Sequence, residues 1–369
     1  MAGEQKRARD LGVVIGNVPT GSLNAITDVK GVEVGHCTVS YGDSGDAPGT
    51  GPSRTGVTAI WPHREDIVWN PVAAAFFALS GTGEMTGRSE IEELGRICTP
   101  IVLTNTMGVG VGYHGACRYL IQHDDGVGDD DVGFVIPVVA ECDDSYLHDA
   151  RGSHLTPAHV AEALDAARSG PVEEGAVGSG TGMHSYRFKG GIGTSSRVLA
   201  DGDGGWTVGV LTMTNFGARH RLTIDGVPVG RWFPLTDTPV PDRDEGSGIV
   251  VIATDAPLDS RQLARLAKRA SLGLGRTGST GADGSGELLV AFSTRYLPRT
   301  DEPVSEHRVI DGHWVDPIFE AVIDATEESV LNALFMATTT SGRRGRTREA
   351  IPLDQVQTIL EQHHYWSNR

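Results

Sequence analysis

The sequence predicts one large α/β domain. Three observations carry this. Strand-like and helix-like segments alternate along the chain, several strand-like runs are apolar on both faces, and no composition break reads as a linker between two folding units. With 369 residues, 39% of them apolar, the chain can bury one large core or two ordinary ones. Its 49 glycines follow no three-residue repeat, so they suit tight turns and close backbone approaches rather than a fibre.

The elements follow in order. Val57–Trp61, Ile101–Thr104 and Phe134–Ala140 read as strands covered on both sides by helices or by another sheet, which leaves no alternating polar face. "TPAHVAEALDAARSG" reads as a helix with Thr156 as N-cap, Pro157 in its first turn and a stripe of Val160, Ala161, Leu164 and Ala167, stopping at Gly170. Trp206–Met213 is a further strand. Residues 235–247, "LTDTPVPDRDEGS", are rich in Pro and charge and predict an exposed, mobile loop, and the acidic "HDDGVGDDD" at 123–131 predicts a surface turn. Ile249–Thr254 and Leu288–Ser293 are core strands. Between them "DSRQLARLAKRASLG" places Leu263, Leu266, Ala267 and Ala270 on one helical face. "DPIFEAVIDATEESVLNALFMAT" does the same with Phe319, Val322, Ile323, Val330 and Leu334. No internal repeat is visible.

Composition narrows the function. A net charge of −17 and a pI near 5.1 repel nucleic acid and anionic membranes, so neither is expected as a partner. No apolar run approaches the ~18 residues of a membrane span. The basic start lacks an apolar stretch after it, so no signal peptide is expected. Cys37, Cys98, Cys117 and Cys142 form no close pair and fit reduced thiols in a cytoplasmic protein. "MGVGVGYHGA" and "SGTGEMTG" resemble phosphate-cradling loops, but neither completes a dinucleotide or P-loop pattern, and no organic cofactor is expected. "HDARGSH" and the HDD and CDD clusters offer ligand types without an HExxH or a close His pair on one helical face, so no metal is expected.

Chemistry gathers at "DRDEGSGIVVIATDAPL". Ser247 lies between two glycines at the mouth of a core strand. A serine hydroxyl is a poor nucleophile without a neighbouring base. If the bond after Gly246 is cut, the freed α-amine of Ser247 is such a base, with a pKa of ~7.7–8.0. Gly246 suits the cut because it tolerates a strained backbone. A Gly-Ser-Gly turn feeding a strand accounts for the same residues. In "GADGSGELLVAFST", Ser285 and Glu287 are two apart at a strand entrance and share a face, where a hydroxyl and a carboxylate can relay a proton or hold an amine. An ordinary hydrophilic turn accounts for them equally. Asn215 follows an apolar run at a strand end and could donate to an oxyanion, or serve a turn. Tyr146 sits past another strand among Glu141, Asp143 and Asp144, a group suited to a substrate ammonium with the phenol as a second oxyanion donor, or simply a solvated acidic loop.

Together these segments resemble the L-aminopeptidase/D-esterase family, which includes the β-peptidyl aminopeptidases. The likeness rests on "NAITDVKGVEVGHCTV", "GVTAIWPH", "SGTGEMTG", "TPIVLTNTMGVG", "GAVGSGTGM", "KGGIGTSSR", "TMTNFG", "GSGIVVIATDAPL", "SLGLGRTG" and "GSGELLVAFST", in order from about residue 24 to 294, with "LNALFMATTTSGRRG" beyond. The resemblance implies a four-layer αββα sandwich, related to the N-terminal-nucleophile hydrolases but with distinct connectivity. It implies a single domain of residues 1–369 that cleaves itself between Gly246 and Ser247 into a large and a small subunit, 1–246 and 247–369. Ser247 is then the nucleophile, Ser285 and Glu287 complete a Ser-Ser-Glu arrangement, and Asn215 and Tyr146 stabilise the tetrahedral intermediate. Glu141 is the candidate partner for the substrate ammonium. Substrates are small peptides, amides or esters with a free amino terminus, and the processed protomers form tetramers. Gly248 departs from the pattern, standing where the family usually carries a larger apolar residue, and the 123–131 stretch is particular to this chain. Two alternatives share the residues: an ornithine/glutamate acetyltransferase-like enzyme, and a non-catalytic binding relative.

Overall fold

A computed structural model describes residues 5–129, 133–235, 246–296, 304 and 306–363. Its elements are β1 (Glu33–Tyr41), β2 (Ser53–Trp61), β3 (Val72–Gly81), α1 (Arg88–Leu94), β4 (Arg96–Ile97), β5 (Ile101–Asn105), α2 (Val109–His123), β6 (Val138–Cys142) and α3 (Pro157–Ala166). A short hairpin follows, β7 (His184–Ser185) and β8 (Phe188–Lys189), then β9 (Ile192–Val198), β10 (Thr207–Asn215), β11 (Ser247–Thr254), α4 (Ser260–Arg276) and β12 (Gly286–Tyr296). The chain closes with α5 (Asp316–Phe335), β13 (Thr340–Ser341), β14 (Thr347–Arg348) and α6 (Leu353–Gln362).

Two sheets form the centre. One has the order β1-β2-β5-β6, the other β4-β3-β12-β11-β10-β9. Within them β5 with β6 and β11 with β12 run parallel, and the remaining pairs are antiparallel. Helices α2 and α3 cover the outer face of the first sheet, and α4 and α5 the outer face of the second. The arrangement is the expected αββα sandwich.

The side-chain period of two explains why these strands are apolar throughout. On β11, Ile249, Val251 and Ala253 face the core between the sheets, while Val250 and Ile252 face the core under α4 and α5. On β5, Ile101 and Leu103 point between the sheets and Val102 points under α2 and α3. A sheet sandwiched on both sides has no solvent face to make polar.

Two expectations need correction. The strand assigned to Phe134–Ala140 begins only at Val138, where it pairs with Ile101; Pro137 has no N–H to give a ladder, and Phe134 is 78% exposed. The helix assigned as far as Gly170 ends at Ala166, because Ala167 turns to extended geometry and Arg168 exchanges backbone hydrogen bonds with Val34 of β1. The glycine-rich stretch at 107–116 is the start of α2, a helix that sequence periodicity did not reveal; a Cβ on Gly115 would stand 2.7 Å from Val160, so glycine lets α2 lie against α3. Most of the loop assigned to 235–247, and the end of the 123–131 turn, fall outside the described residues. Among the described residues no helix is long and apolar enough to cross a membrane.

Candidate active site

Four strand ends converge at one edge of the gap between the sheets: the C-terminal ends of β6 and β10 and the N-terminal ends of β11 and β12. Ser247 is the first residue of β11, paired with Asn215 across one ladder and with Gly286 across the other. It is buried, and its Oγ accepts a hydrogen bond from Asn215 Nδ2 at 3.3 Å. The Asn215 side chain is fixed from both ends, because Nδ2 also donates to the Asp143 carbonyl at 2.9 Å and Oδ1 accepts from the His184 N–H at 3.2 Å.

The residue before the serine can only be glycine. Gly246 has φ 148°, and a Cβ there would lie 2.0 Å from the Asn215 carbonyl oxygen. Its own carbonyl accepts from the Gly286 N–H at 3.1 Å. Gly248 has an equally physical reason. A Cβ would come within 2.9 Å of the Phe216 ring, so Phe216 occupies the space that a larger residue would fill.

Ser285, just ahead of β12, donates its hydroxyl to the Glu287 carboxylate, and both are buried beside the β11 entrance. Cys142, the last residue of β6, sits against the Ser247 hydroxyl, and burial pushes its thiol well above the ordinary range, so it is a neutral wall.

A cleft of about 840 Å³ opens over Ser247 and Asn215. Glu141 lines it while only 4% exposed, accepting hydrogen bonds from the Glu84 N–H at 2.9 Å and from the Thr106 hydroxyl. Burial raises its carboxyl above the usual range; the Thr106 and Glu84 bonds oppose this, and the neighbouring Asp143 and Glu84 charges add to it. None of those influences on Glu141 is cationic. Tyr146 lines the same cleft, edge-on to His184 at 5.3 Å. The Arg348 guanidinium lies 3.6 Å from the Tyr146 ring centroid and that of Arg346 4.9 Å. Burial, aided by Arg348, Arg187 and Lys189, holds His184 well below its ordinary pKa, so its imidazole is neutral.

The structure therefore gathers Ser247, Gly246, Asn215, Tyr146 and Glu141 about one cleft, whereas the Ser285–Glu287 pair is buried behind it, with Gly284 as the residue of that stretch on the lining. Sequence reasoning did not single out Thr106, His184, Arg187, Arg346 or Arg348. The four arginines in "RRGRTR", residues 343–348, were the available signal for the last two.

The pattern of peptidase family S58 matches residues 24–348. A β-peptidyl aminopeptidase of Sphingosinicella xenopeptidilytica is 43% identical, over 96% of this chain and 91% of that protein. A crystal structure of a protein from Pyrococcus horikoshii superposes with a TM-score of 0.91 at 43% identity, covering 97% of this chain and 99% of the other. The L-aminopeptidase D-Ala-esterase/amidase of Ochrobactrum anthropi, described as a prototype serine aminopeptidase and a variant of the N-terminal-nucleophile hydrolase fold, superposes with a TM-score of 0.89 at 41% identity, covering 97% and 99%. With most of its length matched in sequence and in fold, the chain belongs to peptidase family S58 and is a serine aminopeptidase.

Proposed function

We propose that the chain severs itself between Gly246 and Ser247 and that the freed Ser247 is the nucleophile of the aminopeptidase. The geometry of this one junction carries the reading: it holds a glycine-only backbone conformation, its carbonyl is polarised by the Gly286 N–H, and the adjacent Ser247 Oγ meets the Asn215 amide. In processing, Oγ attacks the Gly246 carbonyl carbon and the C–N bond breaks. The hydroxyl proton passes to the departing amine, and water then hydrolyses the resulting ester. The products are a Gly246 carboxylate and a Ser247 carrying both its hydroxyl and a free α-amine.

That amine, with pKa ~7.7–8.0 when unperturbed, serves as the base in each later turnover. The hydroxyl–carboxylate pair of Ser285 and Glu287 supports the proton's path. Ser247 Oγ attacks the acyl carbon of the substrate's first residue while Asn215 and Tyr146 hold the oxyanion. The leaving amine departs with the proton, and water or a second amine resolves the acyl-enzyme. Glu141 holds the substrate ammonium, so small peptides, amides and esters with a free amino terminus are the substrates. The similarity to a β-peptidyl aminopeptidase supports peptides that begin with β-residues as one such class. Processed protomers assemble as cytoplasmic tetramers.

Intact-mass spectrometry and a denaturing gel test the reading. The purified protein should give two pieces, residues 1–246 and 247–369, the second beginning Ser-Gly-Ile-Val. Ser247→Ala should remain full length and leave aminoacyl p-nitroanilides uncut. A single unprocessed band that hydrolyses those anilides would overturn the mechanism.

A further inference from the structure

The acidic groups of the cleft gather around Glu141, whereas its cationic groups gather around Tyr146. On one side are Glu141, Glu84 and Asp143; on the other are Arg187, Arg346 and the neutral His184. Asn215 stands between them, its amide touching the Asp143 carbonyl at one end and the His184 N–H at the other. The basic side continues into a smaller chamber of about 210 Å³ walled by Tyr146, Arg187, Arg219 and Arg348, with Glu349 as its acid.

Two features set these arginines apart from surface charge. Arg348 is 7% exposed, its Nε has no hydrogen-bond partner, and burial lowers its pKa to about 10, so a cation is kept out of water facing the chamber. Arg187 occupies, with Tyr186, the two-residue turn of the β7–β8 hairpin, and both have positive φ, 63° and 51°. Such turns favour Asn and Gly, and bulky residues there are strained. Arg219 braces the strained turn by donating to the Tyr186 and Arg187 carbonyls at 2.6 and 2.8 Å.

We propose that the arginines around Tyr146 form a carboxylate subsite on the leaving-group side of the cleft, so that the preferred substrates are dipeptides ending in a free carboxylate. The proposal rests on the assignment of Ser247 as nucleophile and Glu141 as ammonium partner, which puts the substrate's amino end at Glu141 and its other end toward the arginines. A guanidinium recognises a carboxylate through charge-assisted, often paired hydrogen bonds. A cleft of about 840 Å³ has room for such a ligand.

The test uses processed wild-type protein and the aminoacyl residue X that gives the fastest p-nitroanilide. Values of kcat/KM are measured for X-Gly and for X-Gly amide, which differ only in the terminal charge. The acid should be preferred by about 10-fold or more, mostly through KM, because a charge-assisted bond is lost in the amide. Raising salt should shrink that preference. Arg187→Gln and Arg346→Gln should each bring the acid-to-amide ratio toward one, and Arg346→Lys should retain part of it. Equal use of acid and amide by the wild type, a comparison that needs no variant to fold, would overturn the subsite. So would variants that slow both substrates alike. Failure of the underlying reading would show separately, as anilide cleavage by Ser247→Ala.

Discussion

Asn215 does several jobs with one side chain. As the last residue of β10 it faces Ser247 across the ladder, and its amide is oriented by Asp143 and by the His184 backbone. A donor held in place before charge develops costs no reorganisation when the oxyanion forms. Asn215→Ala should therefore lower kcat by ~10²–10³ with little change in KM, as for loss of one oxyanion donor, and should slow processing in the same preparation. Steady-state kinetics on an aminoacyl p-nitroanilide, normalised to the processed fraction, read this directly. An unchanged kcat would remove Asn215 from the oxyanion site. A KM effect alone would make it a substrate-binding group.

Helix α5 shows what elements add beyond residues. Its apolar stripe was legible, but the acids between the apolar positions are buried too: Asp324, Glu327 and Glu328 are each at most 2% exposed. The helix is covered on one side by β9 and β10 and on another by α4, so little of it is left for water. Partners from distant segments neutralise it. Arg197, itself fully buried, reaches Glu328 at 2.8 Å, Arg9 meets the same carboxylate at 3.0 Å, and Arg276 meets Asp324 at 2.7 Å. Glu328→Gln leaves the Arg197 charge without its counter-ion and should cost about 3–5 kcal/mol, read as a lower urea midpoint with an unchanged slope. A loss below 1 kcal/mol would mean that the Ser196 and Ile15 carbonyls bound by Arg197 suffice. Periodicity could place this helix because it counts apolar positions. It could not find partners such as Arg9 and Glu328, which are 319 residues apart. The same limit explains the site. Ser247, Ser285, Glu287 and Asn215 lie in strand-end motifs that local sequence and resemblance mark, whereas Arg346 and Arg348 meet Tyr146 only through the fold. The α2 helix escaped because its glycines, chosen for close packing, are poor helix formers read in isolation.

At the scale of the whole molecule, folding around two sheets excludes water from titratable groups, and that makes stability depend on pH. His36 on β1 and His148 beyond β6 are both lowered to about 4, chiefly by burial, with Arg168 adding for His36 and His154 for His148. The fold uses them neutral: His148 Nδ1 accepts from the Arg54 N–H at 3.0 Å, a bond that protonation abolishes. Between pH 6.5 and 4 the unfolded chain takes up protons that the folded chain refuses, so each histidine contributes stability that is present above 6.5 and lost on acidification. A displacement from 6.5 to about 4 corresponds to about 3 kcal/mol per group. Buried carboxyls work in the opposite sense. Glu174 and Glu327, raised by burial to about 7, bind protons in the fold first and gain stability as pH falls from 7 towards 4.5. A substitution separates the two. His148→Gln keeps an acceptor that the Arg54 N–H can use and removes the titration. Its urea midpoint should fall less than that of the wild type between pH 7 and 4.5, with the two curves converging toward the acid end. Parallel curves across that range would show that His148 carries the same proton in the folded and unfolded states, and the neutral, buried histidine would have to be abandoned as a source of acid sensitivity.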